Sequence, residues 1–125
     1  MTEKAPRSFL EIRSSYADDW ELSVLADIRS VCSDGDTFLH RVAFKGNRAA
    51  VRDLQALGAD PNAIGDMGNR PLHFAAMSGN LLDAVALMAG GASPDAKNEF
   101  GLTPADCAGI AKHFQLEELL RRSRK

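Results

Sequence analysis

Gly68-Asn69-Arg70-Pro71-Leu72-His73-Phe74-Ala75-Ala76-Met77-Ser78-Gly79 decides the fold, because the chain repeats it. Shifted back by 33 residues, Gly35–Gly46 reads Gly-Asp-Thr-Phe-Leu-His-Arg-Val-Ala-Phe-Lys-Gly. Shifted forward by 33, Gly101–Lys112 reads Gly-Leu-Thr-Pro-Ala-Asp-Cys-Ala-Gly-Ile-Ala-Lys. Gly35, Gly68 and Gly101 keep this spacing, as do His40 and His73, and Leu54, Leu87 and Leu120. A fixed period of this length means stacked supersecondary units, each burying its apolar face on its neighbour.

Within a unit the local signals agree. Gly35, Gly68 and Gly101 precede a helix start, where a positive φ is tolerated. Thr37 and Thr103 suit the N-cap, and Pro71 and Pro104 the first helical position. The first helices are predicted to run to about Gly46, Gly79 and Lys112. Asn47 and Asn80 are expected to cap the second helices. Ala50, Val51 and Leu54 form the apolar stripe of one, and Leu81, Ala84, Val85, Leu87 and Met88 that of the next. Gly58 and Gly91 end these helices in the left-handed conformation. The third second helix spans Phe114 to about Arg122. Its basic end, Arg121-Arg122-Ser123-Arg124-Lys125, favours the helix dipole and reads as a solvated cap.

Upstream, residues 1–7 read as a loose tail. Ser8-Phe9-Leu10-Glu11 matches a capping box and starts a short helix to about Tyr16. Asp18-Asp19-Trp20-Glu21 matches a second one, starting a helix to about Val31 with Leu22, Leu25, Ala26 and Arg29 near one stripe and Ile28 beside it. This helix pair is expected to cover the open end of the first repeat. Trp20 is read either as part of that cap or as an aromatic anchor.

The repeated motifs resemble those of the ankyrin repeat family, with its Thr-Pro-Leu-His-x-Ala pattern. Here the pattern stands as Thr37-Phe38-Leu39-His40, Arg70-Pro71-Leu72-His73-Phe74-Ala75 and Thr103-Pro104-Ala105-Asp106. A second mark stands as Gly58-Ala59-Asp60-Pro61-Asn62-Ala63 and Gly91-Ala92-Ser93-Pro94-Asp95-Ala96. The resemblance implies an all-α ankyrin-repeat α-solenoid with N-terminal capping helices and β-turn or hairpin tips. Its units are residues 1–31 (tail and cap), 32–64 and 65–97 (repeats) and 98–125 (C-terminal capping repeat). In this family the motif histidine ties neighbouring turns by hydrogen bonds, so His40 and His73 are expected to be structural.

Composition narrows the function. Hydrophobic residues make up 45% and charged residues 26% of 125 residues, as in a globular protein. A net charge of −2 gives no electrostatic reason for a nucleic-acid partner. The longest apolar run, Leu81 to Ala92, includes Asp83 and is too short to span a bilayer. The basic start lacks the apolar core of a secretory signal. Two cysteines, Cys32 and Cys107, make no disulfide framework and read as small buried hydrophobes in a cytoplasmic protein. With His113 they lack zinc-site spacing. Asp18, Asp19 and Glu21 read as capping and surface carboxylates. No P-loop, GxGxxG or GxSxG occurs. The expectation is a non-enzymatic protein, without cofactor or metal, monomeric when free.

The resemblance implies partner contacts on a concave face built from turn tips and first helices. By register these positions are Ser33, Asp34, Asp36, Phe44 and Lys45; Ile64, Asp66, Met67, Asn69, Met77 and Ser78; and Lys97, Glu99, Phe100, Leu102 and Ile110. Apolar residues among them, rimmed by charge, mark an interaction surface. The acidic members favour a basic partner surface. Two roles compete: an inhibitor of one partner, such as the immunity protein of a bacterial toxin, and an adaptor bridging several.

Overall fold

The computed structural model describes residues 8–19, 25, 27, 28 and 30–123. Their helices are α1 (Phe9–Ser14), α2 (Phe38–Lys45), α3 (Arg48–Ala56), α4 (Pro71–Ser78), α5 (Leu81–Ala89), α6 (Pro104–Ile110) and α7 (Phe114–Arg122). From α2 onward they form three pairs in the predicted register. The described residues include no strand, only an isolated antiparallel bridge between Val31 and Thr37.

The caps explain the starts. Thr37 and Thr103 accept the backbone N–H of His40 and Asp106, three residues on. Pro71 and Pro104 each open a helix, where a missing N–H costs nothing. The chain then reverses between paired helices. After α4, the Asn80 N–H returns to the Ala75 carbonyl at 2.9 Å, with Gly79 at φ 76°. The third pair makes the same reversal with Lys112 at φ 67°, a conformation that burdens a side chain with a Cβ clash.

Apolar burial joins the pairs into one array. α2 packs on α4 and α4 on α6, while α3 packs on α5. Leu39, Val42, Ala50, Val51, Leu54, Leu72, Ala75, Ala76, Leu87, Ala105, Ala108 and Leu120 are buried in the common core. Cys32 and Cys107 are buried there as thiols, and burial pushes the Cys107 thiol up to about 11. No helix among the described residues is long and apolar enough to cross a membrane.

The N-terminal segment covers the first pair. Ser8 and Glu11 form the predicted capping box. Ile12 is fully buried, and Phe9 and Tyr16 set their ring edges against Phe38 at centroid distances of 5.4 and 5.5 Å. Tyr16 also accepts the Asn47 side-chain N–H at 3.2 Å. The second capping helix falls largely outside the described residues, as does Trp20. Its expected extension to Val31 needs correction. Leu25, Asp27, Ile28 and Ser30 are not helical, and Val31 bridges to Thr37. Ser30 accepts the Asp27 N–H through its hydroxyl and donates its own N–H to the Asp27 carbonyl, a local turn that competes with a helix.

The second helices bring further corrections. Leu81 and Val85, expected on the buried stripe, are exposed, and Asp83 is buried in their place. Asp83 accepts the backbone N–H of Asn47 at 2.8 Å, at the start of α3. Burial raises its carboxyl above the usual range, and the Asn47 N–H only partly offsets this. Asn47 caps α3 as expected, accepting the Ala50 N–H. Asn80 does not cap α5. It reaches back instead and donates to the Ala43 and Phe44 carbonyls at the end of α2 (2.9 and 3.2 Å). Those carbonyls have no partner within their own helix, so Asn80 satisfies them from the next repeat.

Candidate partner-binding face

Three turn tips precede α2, α4 and α6, and hydrogen bonds zip them together. In each tip the chain closes on itself, from Cys32 to Asp36 (2.7 Å), Gly65 to Asn69 (2.8 Å) and Asn98 to Leu102 (2.9 Å). Asp36 in the first tip accepts the Asp66 N–H of the second at 2.8 Å. The Glu99 N–H of the third tip donates to the Met67 carbonyl of the second at 3.0 Å. Asn98 donates from its side chain to that of Asn69 at 2.9 Å, and both residues are buried. A Cβ at Gly65 would run into the Asp36 carboxylate and the His40 ring, so only glycine permits this approach.

The histidines are the rivets. His40 Nδ1 accepts the Thr37 N–H at 3.0 Å. That leaves the proton on Nε2, which faces the carbonyls of Ala63 (2.9 Å) and Asn69 (3.1 Å). His73 repeats the arrangement: Nδ1 accepts the Arg70 N–H at 3.0 Å, and Nε2 faces the Leu102 carbonyl at 2.9 Å. Each ring thus caps its own helix and holds the following tip. Both are fully buried, and burial lowers both pKa values. Asp106 takes the histidine position in the last pair. Its carboxylate accepts the Thr103 N–H at 3.0 Å, as an imidazole nitrogen would, and this contact holds its pKa low. A carboxylate has no N–H for a following carbonyl, and it pairs instead with Arg121 at 3.3 Å.

The zipped tips carry a row of apolar side chains outward. Ile64, Met67 and Phe100 are 66%, 53% and 66% exposed. Phe44 and Ile110, at matching positions on α2 and α6, are also exposed, while Met77 between them is half-buried. Met67 adopts φ 57° and ψ 27°, a left-handed conformation costly for a long side chain. Its carbonyl is pinned by Glu99, which helps to hold it there.

The charged positions divide. Asp34 is exposed but bound to Arg41 at 2.6 Å. Lys45 reaches Asp19 of the N-terminal segment at 3.2 Å. Asp66 is half-buried, and Lys97 and Glu99 are exposed. Asp36 and Asn69 need correction as partner-facing positions: both are buried and committed to the neighbouring tip. Desolvation raises the Asp36 carboxyl above its usual range, which suits an internal acceptor rather than a rim charge. Asp83 of α5 is internal too.

Sequence reasoning passed over Phe74. It follows His73 on α4 and meets Phe44 edge-on at 6.1 Å and His40 at 5.8 Å. It therefore supports Phe44 from the next repeat. Its place directly after the repeated histidine was the available signal.

Comparison with known proteins now bears on this architecture. A family model described as ankyrin repeats (three copies) matches residues 19–98, more than half of the chain. No curated protein matches it. Helices α6 and α7 lie beyond the matched residues but continue the register, with the same cap and the same packing. Ankyrin repeats generally serve as protein–protein interaction modules and are typically not enzymes. Repeat, stacked pairs, zipped tips and family match converge: the chain belongs to the ankyrin-repeat family.

Proposed function

We propose that this protein is a non-enzymatic binding module whose partner docks on the tips and first helices, and that it acts as an inhibitor that occludes one partner. The observation that carries this reading is the exposed row Ile64, Met67 and Phe100 on tips hydrogen-bonded to one another. Apolar side chains on a pre-organised backbone lose little entropy on binding, which favours a tight complex with one partner. Phe44, Met77 and Ile110 extend the row onto the helices. Asp66 and Glu99 border it and favour a basic partner surface, while Lys97 tempers that charge. An immunity protein for a bacterial toxin is one form of such an inhibitor. An adaptor would use the same face for several partners.

The test is a pull-down from the native host, followed by calorimetry with the purified partner. The inhibitor reading expects one stoichiometric partner whose activity is lost in the complex; several unrelated partners would favour the adaptor. Replacing Met67 and Phe100 together with alanine should weaken binding by about 1–4 kcal/mol with the fold intact. Unchanged affinity in that double variant would reject this face.

A further inference from the structure

The outer face of the second helices differs sharply from one repeat to the next. Positions 48, 49 and 52 of α3, 81, 82 and 85 of α5, and 114, 115 and 118 of α7 are equivalent by the 33-residue register, and all nine are exposed. On α3 they are Arg48, Ala49 and Arg52. On α7 they are Phe114, Gln115 and Glu118. The middle helix carries Leu81, Leu82 and Val85, with exposures of 40%, 57% and 45%. Three neighbouring apolar side chains on one exposed helix face are costly in water unless covered. A groove of about 690 Å³ adjoins them, lined by Val85, Met88, Ala89 and Leu119 between α5 and α7.

We infer that this face pairs with a second copy of the chain, back to back, about a two-fold axis over Val85. The charge pattern identifies the occupant. Arg52 and Glu118 occupy the same repeat position as Val85, one repeat before it and one after it. A two-fold axis lying in the contact plane over Val85, parallel to α5, exchanges the two sides. Arg52 of each copy then meets Glu118 of the other, and the apolar centres meet each other. Leu81, Leu82 and Val85 of one copy come against the same three residues of the other, beside the groove. An isologous contact uses each pair twice, so a small patch gives a doubled interface. Glu118 already holds Arg122 at 2.6 Å in an exposed pair. Such a contact is readily shared, and the Arg122 side chain is 76% exposed and free to turn toward solvent beside the incoming Arg52. This contact leaves the tips and first helices open.

Sedimentation velocity over a concentration series tests the inference. The protein should sediment at twice the 13.5 kDa of the chain. Leu82→Glu with Val85→Glu should yield a monomer with retained helical circular dichroism. Arg52→Glu should weaken self-association at least about tenfold, since it sets like charges together twice. Adding Glu118→Arg to it should restore association. The charge-swap pair decides the matter even where the glutamate double variant does not fold. A protein monomeric at every concentration into the millimolar range overturns the inference. So does a dimer indifferent to Leu82→Glu with Val85→Glu, or an Arg52→Glu defect that Glu118→Arg leaves unrescued.

Discussion

The His40 and His73 junctions use one design with opposite electrostatics. Each ring caps its helix through Nδ1 and holds the next tip through Nε2. His40 has the carboxylates of Asp36 and Asp34 nearby, and both favour its charged form. The Thr37 hydroxyl also stands 2.8 Å from His40 Nδ1. In the second junction Asn69 replaces Asp36, and Arg70 replaces Thr37. Arg70 disfavours a charged His73. Hydrogen-bond geometry is thus shared while the charges around the ring are not. A repeat motif copies the backbone contacts; the residues between motif positions set how each junction responds to pH.

The largest expected effect comes from removing a rivet. His73→Ala leaves the Arg70 N–H and the Leu102 carbonyl without their partner, at about 1–3 kcal/mol for each group left buried. Chemical denaturation at neutral pH should show that loss; a change within a few tenths of a kcal/mol would mean that water replaces the ring.

Acid should sharpen the comparison. Burial lowers both imidazoles below the ordinary value of about 6.5. The unfolded chain therefore binds protons that the folded rings refuse. The stabilisation from each ring is complete above about pH 6.5 and fades as pH falls toward its depressed folded value. The advantage of wild type over His73→Ala should shrink over that window. In NMR titration Asp36→Asn should lower the His40 pKa further, because it removes a carboxylate that favours the charged ring. A His40 titration unmoved by Asp36→Asn would remove the distinction drawn here. Asp36 and Asp83 work in the opposite sense, because their carboxyl pKa values are raised. Their contribution is lost as pH rises from about 3.8 through those raised values.

The smallest effect separates stability from binding. Met67→Asn should stabilise the fold by up to about 1 kcal/mol, since asparagine tolerates the left-handed conformation better. It should also weaken partner binding. A lower melting temperature would show that Met67 packs within the fold rather than serving the surface.

Much of the fold was legible in the sequence because stacking depends on a register. The period located α2 to α7 and Thr37 and Thr103 as caps, and the family resemblance implied the structural role of the histidines. What escaped it lies between repeats. Asp36 and Asn69 look like ordinary polar tip residues, and only the closure of one tip onto the next buries them. Asn80 resembles a helix cap until the preceding helix presents two carbonyls within its reach. Asp83 breaks the apolar pattern of α5 because Asn47 of the previous repeat needs an acceptor. The candidate site was legible in part, since exposed apolar tips follow from register, but the support that Phe74 gives Phe44 does not.

The most direct test is amide hydrogen exchange on the isolated stoichiometric complex, compared with the free protein. The account predicts slowed exchange in residues 64–69 and 97–102, with residues 81–89 unchanged. Protection confined to residues 81–89, with both tips exchanging as in the free protein, would contradict it.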